Sequence, residues 1–304
     1  IVHTHLHKAD FYGRIVAKQL GVPVIVSTCH NYSTNHKYAD INRKSYFDRI
    51  DNLVVNYSDS YLIAISGLVK EYLTGRDKTF LNRTEVIYNG VDITKEKYLL
   101  SDKSAIIEFR DKWGFDTDDF VISIIGRLEE QKGHLFFLRS MKDILKENKK
   151  IKILIVGDGS LRNEIENYIS ENNLGTSVIT TGFIPDSQKY IEISDLIAVP
   201  SLWEGFGLVI IEGMIKNKII LASDTGGIPE IIEDDRTGFL FALNNKKNFL
   251  DKFNYIYDNL NELDEIKKNS LELVKEKFDM QKNSELYYQY YINKLSIINS
   301  NPTK

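Results

Sequence analysis

Leu196-Ile-Ala-Val-Pro-Ser-Leu-Trp-Glu-Gly-Phe-Gly-Leu-Val-Ile-Ile-Glu212 passes from an apolar run through a glycine turn into a second apolar run. A strand over Leu196–Val199 that turns at Gly205 and Gly207 into a helix is one strand–helix unit. The same pattern recurs along the chain. Strand-forming runs at Ile1–Leu6, Pro23–Ser27, Tyr61–Ile65, Glu85–Tyr88, Val121–Ile125, Ile151–Val156, Ser177–Thr181 and Ile219–Ala222 alternate with helical patterns. Such alternation predicts parallel sheets covered on both faces by crossover helices, which is why the strands read as unbroken apolar runs. The fold class is doubly wound α/β.

The 304 residues allow two domains at ~150 residues each. A composition of 42% hydrophobic and 27% charged residues with five prolines is globular and excludes disorder as the main state. The single cysteine, Cys29, forms no internal disulfide and rules out a zinc site that needs paired thiolates, so a reducing cytoplasm fits best. Lys and Arg number 39 against 43 Asp and Glu, a net charge of −4, which argues against nucleic acid as a partner. The first fifty residues nonetheless hold seven basic and three acidic side chains. That excess fits either peripheral contact with an anionic membrane or a solvated charged face. No apolar run reaches the ~18 to 20 residues of a membrane-spanning helix, and no basic leader precedes an apolar segment. The chain opens inside a strand without an initiator Met and reads as a fragment lacking its true N-terminus.

Between Asp92 and Asp119 the strand series breaks at a charged stretch that includes Lys95, Glu96, Lys97, Asp102 and Lys103. We read this as a hinge and the first helix of a second domain. The expected division is 1–98 for the first domain, incomplete at its start, 99–283 for the second, and 284–304 for a helix returning toward the first. The tyrosines of that helix, Tyr287, Tyr288, Tyr290 and Tyr291, are read as packing residues.

The chemistry concentrates where strands end. Gly205 and Gly207 let backbone approach a ligand closely, and the amides that open the following helix suit a phosphate or hydroxyl groups. Glu204 sits in that turn and Glu212 lies eight residues on, roughly 8 to 12 Å away. Two carboxylates so placed accept hydrogen bonds from two hydroxyl-bearing parts of one long ligand. After the Val121–Ile125 strand, Gly126-Arg127 and Lys132-Gly133 set two cations at a strand's carboxyl end, where open α/β sheets bind ligands. A diphosphate is their natural anion: arginine binds it bidentately and lysine as a point charge. Gly157-Asp-Gly159 fits a dinucleotide fingerprint weakly, because Arg162 stands where a third glycine belongs. Gly182-Phe183-Ile184 offers backbone to a nucleobase or is an ordinary turn. Ser223 to Glu230 reads as a further glycine turn at the same crevice. In the first domain, His3, His5 and His7 alternate on strand spacing, but no carboxylate or thiol partner is arranged with them and a metal is not expected. His30, just past the second strand, is placed to contact a ligand.

Together these residues resemble glycosyltransferase family 4, the group 1 glycosyltransferases, of the GT-B fold. The marks are His3-Thr-His5 with Ala9-Asp10 and Tyr12-Gly13, Thr28-Cys-His30, Asn89-Gly-Val-Asp92, Gly126-Arg127 to Lys132-Gly133, Gly157-Asp-Gly159 and Glu204-Gly-Phe-Gly207 to Glu212. The last is the family's paired-glutamate signature. The resemblance implies two Rossmann-like domains facing a cleft, with a nucleotide-sugar donor held mainly by the second and the first on the acceptor side. It assigns Arg127 and Lys132 to the diphosphate. Glu204 and the amides of Gly205, Phe206, Gly207 and Leu208 are assigned to the sugar, Glu212 to the ribose and His30 to the sugar from the opposite domain. It further implies retaining transfer without a metal or other cofactor, from a UDP-sugar by preference or a GDP-sugar, to a saccharide or lipid-linked acceptor. Family members carry additional strands and a glycine-rich loop before the region where this chain starts, which leaves open whether the chain alone turns over. A non-catalytic module that binds nucleotide sugar or docks a partner is the alternative, and a nicotinamide-dependent oxidoreductase is a third.

Overall fold

The computed structural model describes residues 1–30, 46–95 and 102–300. Glu96, Lys97 and the expected junction at residue 98 lie outside the described residues. The chain forms two units. Ile1–Gly90 with Lys277–Lys304 make the first, and Val91–Glu276 the second.

In the first unit, strands β1 (Val2–His5), β2 (Ile25–Cys29), β3 (Tyr61–Ala64) and β4 (Thr84–Val86) pair in chain order, all parallel. Helices α1 (His7–Gln19), α2 (Tyr46–Ser58) and α3 (Gly67–Arg76) make the crossovers. Buried ion pairs tie these helices together: Arg14, 1% exposed, lies 2.6 Å from Asp51, which lies 2.7 Å from Arg76. Burial works against the Asp51 charge, but the two guanidinium groups outweigh it and hold its carboxyl below the usual carboxylate range.

The second unit opens with α4 (Lys103–Lys112), the helix expected after the hinge, capped by the Asp102 side chain on the amide of Ala105. Its sheet strands are β5 (Phe120–Ile125), β6 (Ile151–Val156), β7 (Val178–Thr180), β8 (Leu196–Val199), β9 (Ile219–Asp224) and β10 (Phe239–Ala242). They lie in the spatial order β10-β9-β8-β5-β6-β7, all parallel. Between them run α5 (His134–Glu147), α6 (Arg162–Glu171), α7 (Gln188–Glu192) and α8 (Leu208–Ile215), followed by α9 (Lys246–Asn259) and α10 (Asp264–Lys277). One core gathers Ile122, Ile153, Leu196 and Leu221 from the strands with Phe137, Phe249 and Phe253 from the helices. The chain builds outward from β5 to β6 and β7, then returns to β5's other side with β8. The carboxyl ends of β5 and β8 therefore flank the point where strand order reverses, the standard ligand crevice of open parallel sheets.

The last helix, α11 (Met280–Ser300), belongs to the first unit. Tyr290, 4% exposed, packs with Val24, Val26, Ile63 and Ile87, and Lys294 reaches Glu85 at 2.7 Å. The unit gains the chain's return earlier than the expected residue 284. Asn283 donates to the carbonyl of Tyr88 at 3.0 Å, and the Tyr88 and Phe278 rings meet edge to face.

Candidate active site

Every loop that follows a strand at the centre of the second sheet leaves from the same edge, and backbone contacts stitch these loops together. The amide of Gly126 donates to Val156 and that of Leu128 to Asp158, both at 2.9 Å, which joins the β5 loop to the β6 loop. Gly157 donates to Gly182 at 3.1 Å, which adds the β7 loop. Leu202 donates to the carbonyl of Gln131 at 2.7 Å and the Gln131 amide donates to Trp203 at 3.0 Å, which joins the β5 loop to the β8 loop. Gly227 donates to Glu204 at 2.9 Å, adding the β9 loop.

Two glycines are required by this stitching. Gly133 has φ of 67°, and a Cβ there would lie 1.9 Å from the carbonyl oxygen of Pro200. Gly157 has φ of 143°, and a Cβ there would lie 1.9 Å from the carbonyl oxygen of Gly126. Larger residues at either place would force whole loops apart.

Within the cradle, Lys132 Nζ lies 2.5 Å from Glu204 Oε2, a contact between residues 72 positions apart that crosses from the β5 loop to the β8 loop. The lysine stem runs over Gly126, and Ser201 Oγ donates to the same Glu204 oxygen at 3.3 Å. Glu204 is 8% exposed, so this carboxylate is held among partners instead of waving in solvent. Arg127 is exposed at the cradle's mouth and donates to Gln131 Oε1 at 3.3 Å. Gly207, with φ of 103°, starts α8, whose leading amides lack acceptors inside the helix. Glu212 is half-buried on α8, and the Phe206 ring is buried at the turn.

The structure thus brings Gly126, Arg127, Lys132, Gly157, Gly159, Gly182, Glu204 and the Gly205–Leu208 turn to one edge of one sheet. Phe183 stands out into solvent at 74% exposure, while Ile184 packs beside the core residues Phe115, Val121 and Tyr190. Arg162, at the place of the absent third glycine, pairs with Asp158 at 2.8 Å and Glu166 at 2.9 Å. Its guanidinium also lies against Gly182. An acidic group of Asp116, Asp118 and Asp119 lies at the turn before β5, with the ammonium of Lys150 on Asp116 and Asp118 at 3.3 and 2.9 Å.

Sequence reasoning passed over Gln131 and Ser201. Their signal is position alone: Gln131 precedes Lys132, and Ser201 stands three residues before Glu204.

His30 belongs to the first unit, where its Nε2 lies 2.9 Å from His5 Nδ1. His3 spends both ring nitrogens on Tyr291 and Thr28, at 2.6 and 2.8 Å. His3 and His5 therefore bond to different neighbours. Burial, with the nearby His5 and His30, pushes the His3 imidazole down to about 4, and burial likewise lowers His30.

Residues 105–272 match the family described as Glycosyl transferases group 1, and residues 1–95 match Glycosyltransferase Family 4. The chain belongs to the group 1 glycosyltransferases. It is 30% identical over 263 residues to an Escherichia coli UDP-Gal:alpha-D-GlcNAc-diphosphoundecaprenol alpha-1,3-galactosyltransferase, covering 82% of this chain and 64% of that protein. An alpha-D-kanosaminyltransferase of Streptomyces kanamyceticus is 24% identical over 250 residues, covering 79% of this chain and 63% of the relative. The chain thus spans a little under two thirds of the length of these relatives. Among solved structures, Anabaena HepE in complex with UDP-glucose superposes with a TM-score of 0.84 at 22% identity, over 96% of this chain and 78% of that one. The fold is GT-B.

A buried histidine beside the cradle makes the pH dependence of this chain's stability open to test. His134, the first residue of α5, is 1% exposed, and neither ring nitrogen has a hydrogen-bond partner among the described residues. Burial, and then the charge of Lys132, lowers it from 6.5 to about 4. Below pH 6.5 the unfolded chain takes up a proton that the folded chain refuses, so stability falls as pH drops from 6.5 toward 4. His134 alone is expected to cost about 1 kcal/mol of stability by pH 5.5. Urea unfolding of wild type and His134→Gln at pH 7.5 and 5.5 checks this. The variant is expected to lose less on acidification, and an equal loss in both would remove His134 as the cause.

Proposed function

We propose that the second unit binds a nucleoside-diphosphate sugar, UDP-linked by preference, and that the protein transfers the sugar to a saccharide or lipid-linked acceptor with retention of configuration. The observation that carries this reading is the Lys132–Glu204 contact at the strand-order reversal, a cation and a carboxylate fixed together beside helix-opening amides. Arg127 and Lys132 take the diphosphate, Glu204 and the turn amides take sugar hydroxyls, and Glu212 takes the ribose diol. His30 is assigned to a hydroxyl of the sugar.

In the reaction the bond from the anomeric carbon to the phosphate oxygen breaks as the acceptor oxygen bonds to that carbon. The acceptor's proton passes to a phosphate oxygen. Negative charge grows on the departing diphosphate while the sugar becomes oxocarbenium-like. Fixed cations and helix-opening amides favour that state over the ground state. Arg127 and Lys132 supply the positive charge that a metal supplies in other transferases. Action at the cytoplasmic face of a membrane, in assembly of a surface polysaccharide, fits the basic excess of the first fifty residues.

A thermal-shift screen of UDP, GDP and their sugars tests the donor. A ligand at 100 times its dissociation constant stabilises by about 2.7 kcal/mol, so the preferred donor is expected to raise Tm by several degrees. No shift with any nucleoside diphosphate at millimolar concentration would end the proposal.

A further inference from the structure

The contact between His5 and His30 joins two ring nitrogens. It closes the end of β1 onto the residue after β2, with His5 Nδ1 2.9 Å from His30 Nε2. An uncharged imidazole owns one N–H and one bare nitrogen, so across such a contact one ring donates and the other accepts. His30 is uncharged at neutral pH, because burial and then the neighbouring His5 lower it. Two arrangements satisfy the pair. If His5 Nδ1 donates, both rings carry their proton on Nδ1. If His30 Nε2 donates, both carry it on Nε2, the tautomer that free histidine favours, and the exposed His5 gives its own Nε2–H to water. We infer that His5 is a positioning residue for His30: it accepts from Nε2–H and leaves a bare Nδ1, a hydrogen-bond acceptor, for the ligand. Resting on the transferase reading above, His30 Nδ1 is then the atom that accepts from a hydroxyl of the donor sugar.

His5 can do this because its own place is prepared. The parallel register sets His5 opposite Thr28, two residues before His30 on the neighbouring strand. The His5 ring lies against His3 at 4.3 Å between ring centres, and His3 is pinned by Tyr291 at 2.6 Å and Thr28 at 2.8 Å. A support therefore runs from α11 through β1 to the residue that meets His30. His30 has no other hydrogen-bond partner among the described residues, so without His5 its ring is free to flip and to exchange tautomers. One held edge gives the other edge a fixed direction and a fixed chemistry. That matters for transfer, since a reacting group displaced by 1 Å can cost ~100-fold in rate.

Asparagine and glutamine separate the atoms. In His5→Asn a side-chain oxygen stands where Nδ1 stood and accepts from His30, whereas in His5→Gln it lies one bond farther out, at the place of Nε2. Long-range proton–nitrogen NMR spectra of the whole protein, labelled with nitrogen-15 in histidine, read at pH 7.5 which ring nitrogen carries the proton. His30→Gln identifies the His30 signals by removing them. His30 is expected to be protonated on Nε2 and bare on Nδ1 in wild type and in His5→Asn, and to show mixed tautomers in His5→Ala and His5→Gln. Turnover of UDP-glucose, UDP-galactose and UDP-N-acetylglucosamine is measured on the same proteins. With whichever donor reacts, His5→Ala and His5→Gln are expected to lower kcat about tenfold at little changed donor KM, and His5→Asn to keep most of the rate. An equal rise of Tm with UDP in every variant shows that they are folded. Its absence in wild type counts against the donor reading alone and leaves the spectra to decide this one. A protonated Nδ1 on wild-type His30, His30 signals unmoved by His5→Ala, or equal rates in His5→Ala and His5→Asn would overturn the inference.

Discussion

Glu204→Gln in the full-length protein is expected to lower the rate of sugar transfer by ~100- to 1,000-fold, the usual cost of removing one preorganised charged contact from a transition state. Glutamine keeps the shape and removes the charge. It therefore loses the ion pair with Lys132 and the strong acceptor for sugar hydroxyls, and it leaves a lysine that was 2.5 Å from a carboxylate without its countercharge. Lys132→Ala is expected to be as severe. Because the two side chains touch, the double variant should lose far less than the two single losses combined. Arg127→Ala, at an exposed position, is expected to act mainly on donor affinity. Initial rates at saturating and limiting donor separate the two effects. A loss below about tenfold for Glu204→Gln would show that the carboxylate does not serve the reaction.

Lys216→Ala is expected to destabilise the second unit by about 3 to 5 kcal/mol without touching the cradle's side chains. Lys216, 2% exposed, lies at the end of α8 and donates to Glu192 of α7 at 2.6 Å. Glu192 is itself 6% exposed, so removing the lysine takes a close countercharge from a carboxylate held away from water. Nearby, Lys218 donates to the Glu192 backbone carbonyl at 2.6 Å, and burial lowers its ammonium to about 8, too weakly charged a neighbour to replace Lys216 fully at high pH. The paired variant Lys216→Met with Glu192→Leu should recover most of the loss, because it removes both charges at once. The urea midpoint of each variant reads the effect. A single variant within about 1 kcal/mol of wild type would show that the carboxylate is solvated or neutralised by other groups.

The central strands of the second unit are legible in the sequence because both their faces are covered. Ile151–Val156 and Leu196–Val199 appear with their expected bounds. Phe239–Ala242 was not anticipated as a strand. It is a short edge strand between Gly238 and the turn at Asn244, and its pairing with Leu221 to Asp224 is a tertiary fact that four residues do not announce. The division of the chain is illegible for a similar reason. It falls after Gly90 because residues 88 to 90 pack on Phe278 and Asn283, with a contact between Tyr88 and Asn283 that spans 195 residues of sequence. The glycine turns of the site are local chemistry and so were readable. The Tyr stripe is legible as packing from its helical period: Tyr290 lies in the core of the first unit and Tyr287 and Tyr291 pack against it, while Tyr288 is exposed.

The return of α11 to the first sheet also bears on how the protein is made. A chain leaving the ribosome delivers Met280–Ser300 only after the second unit, so Val24, Val26, Ile63 and Ile87 wait uncovered while that unit emerges and closes its own core. Vectorial synthesis here completes the inserted unit before its host. Removing Met280–Ser300 would thus act as a folding lesion in the sheet that β1 to β4 build.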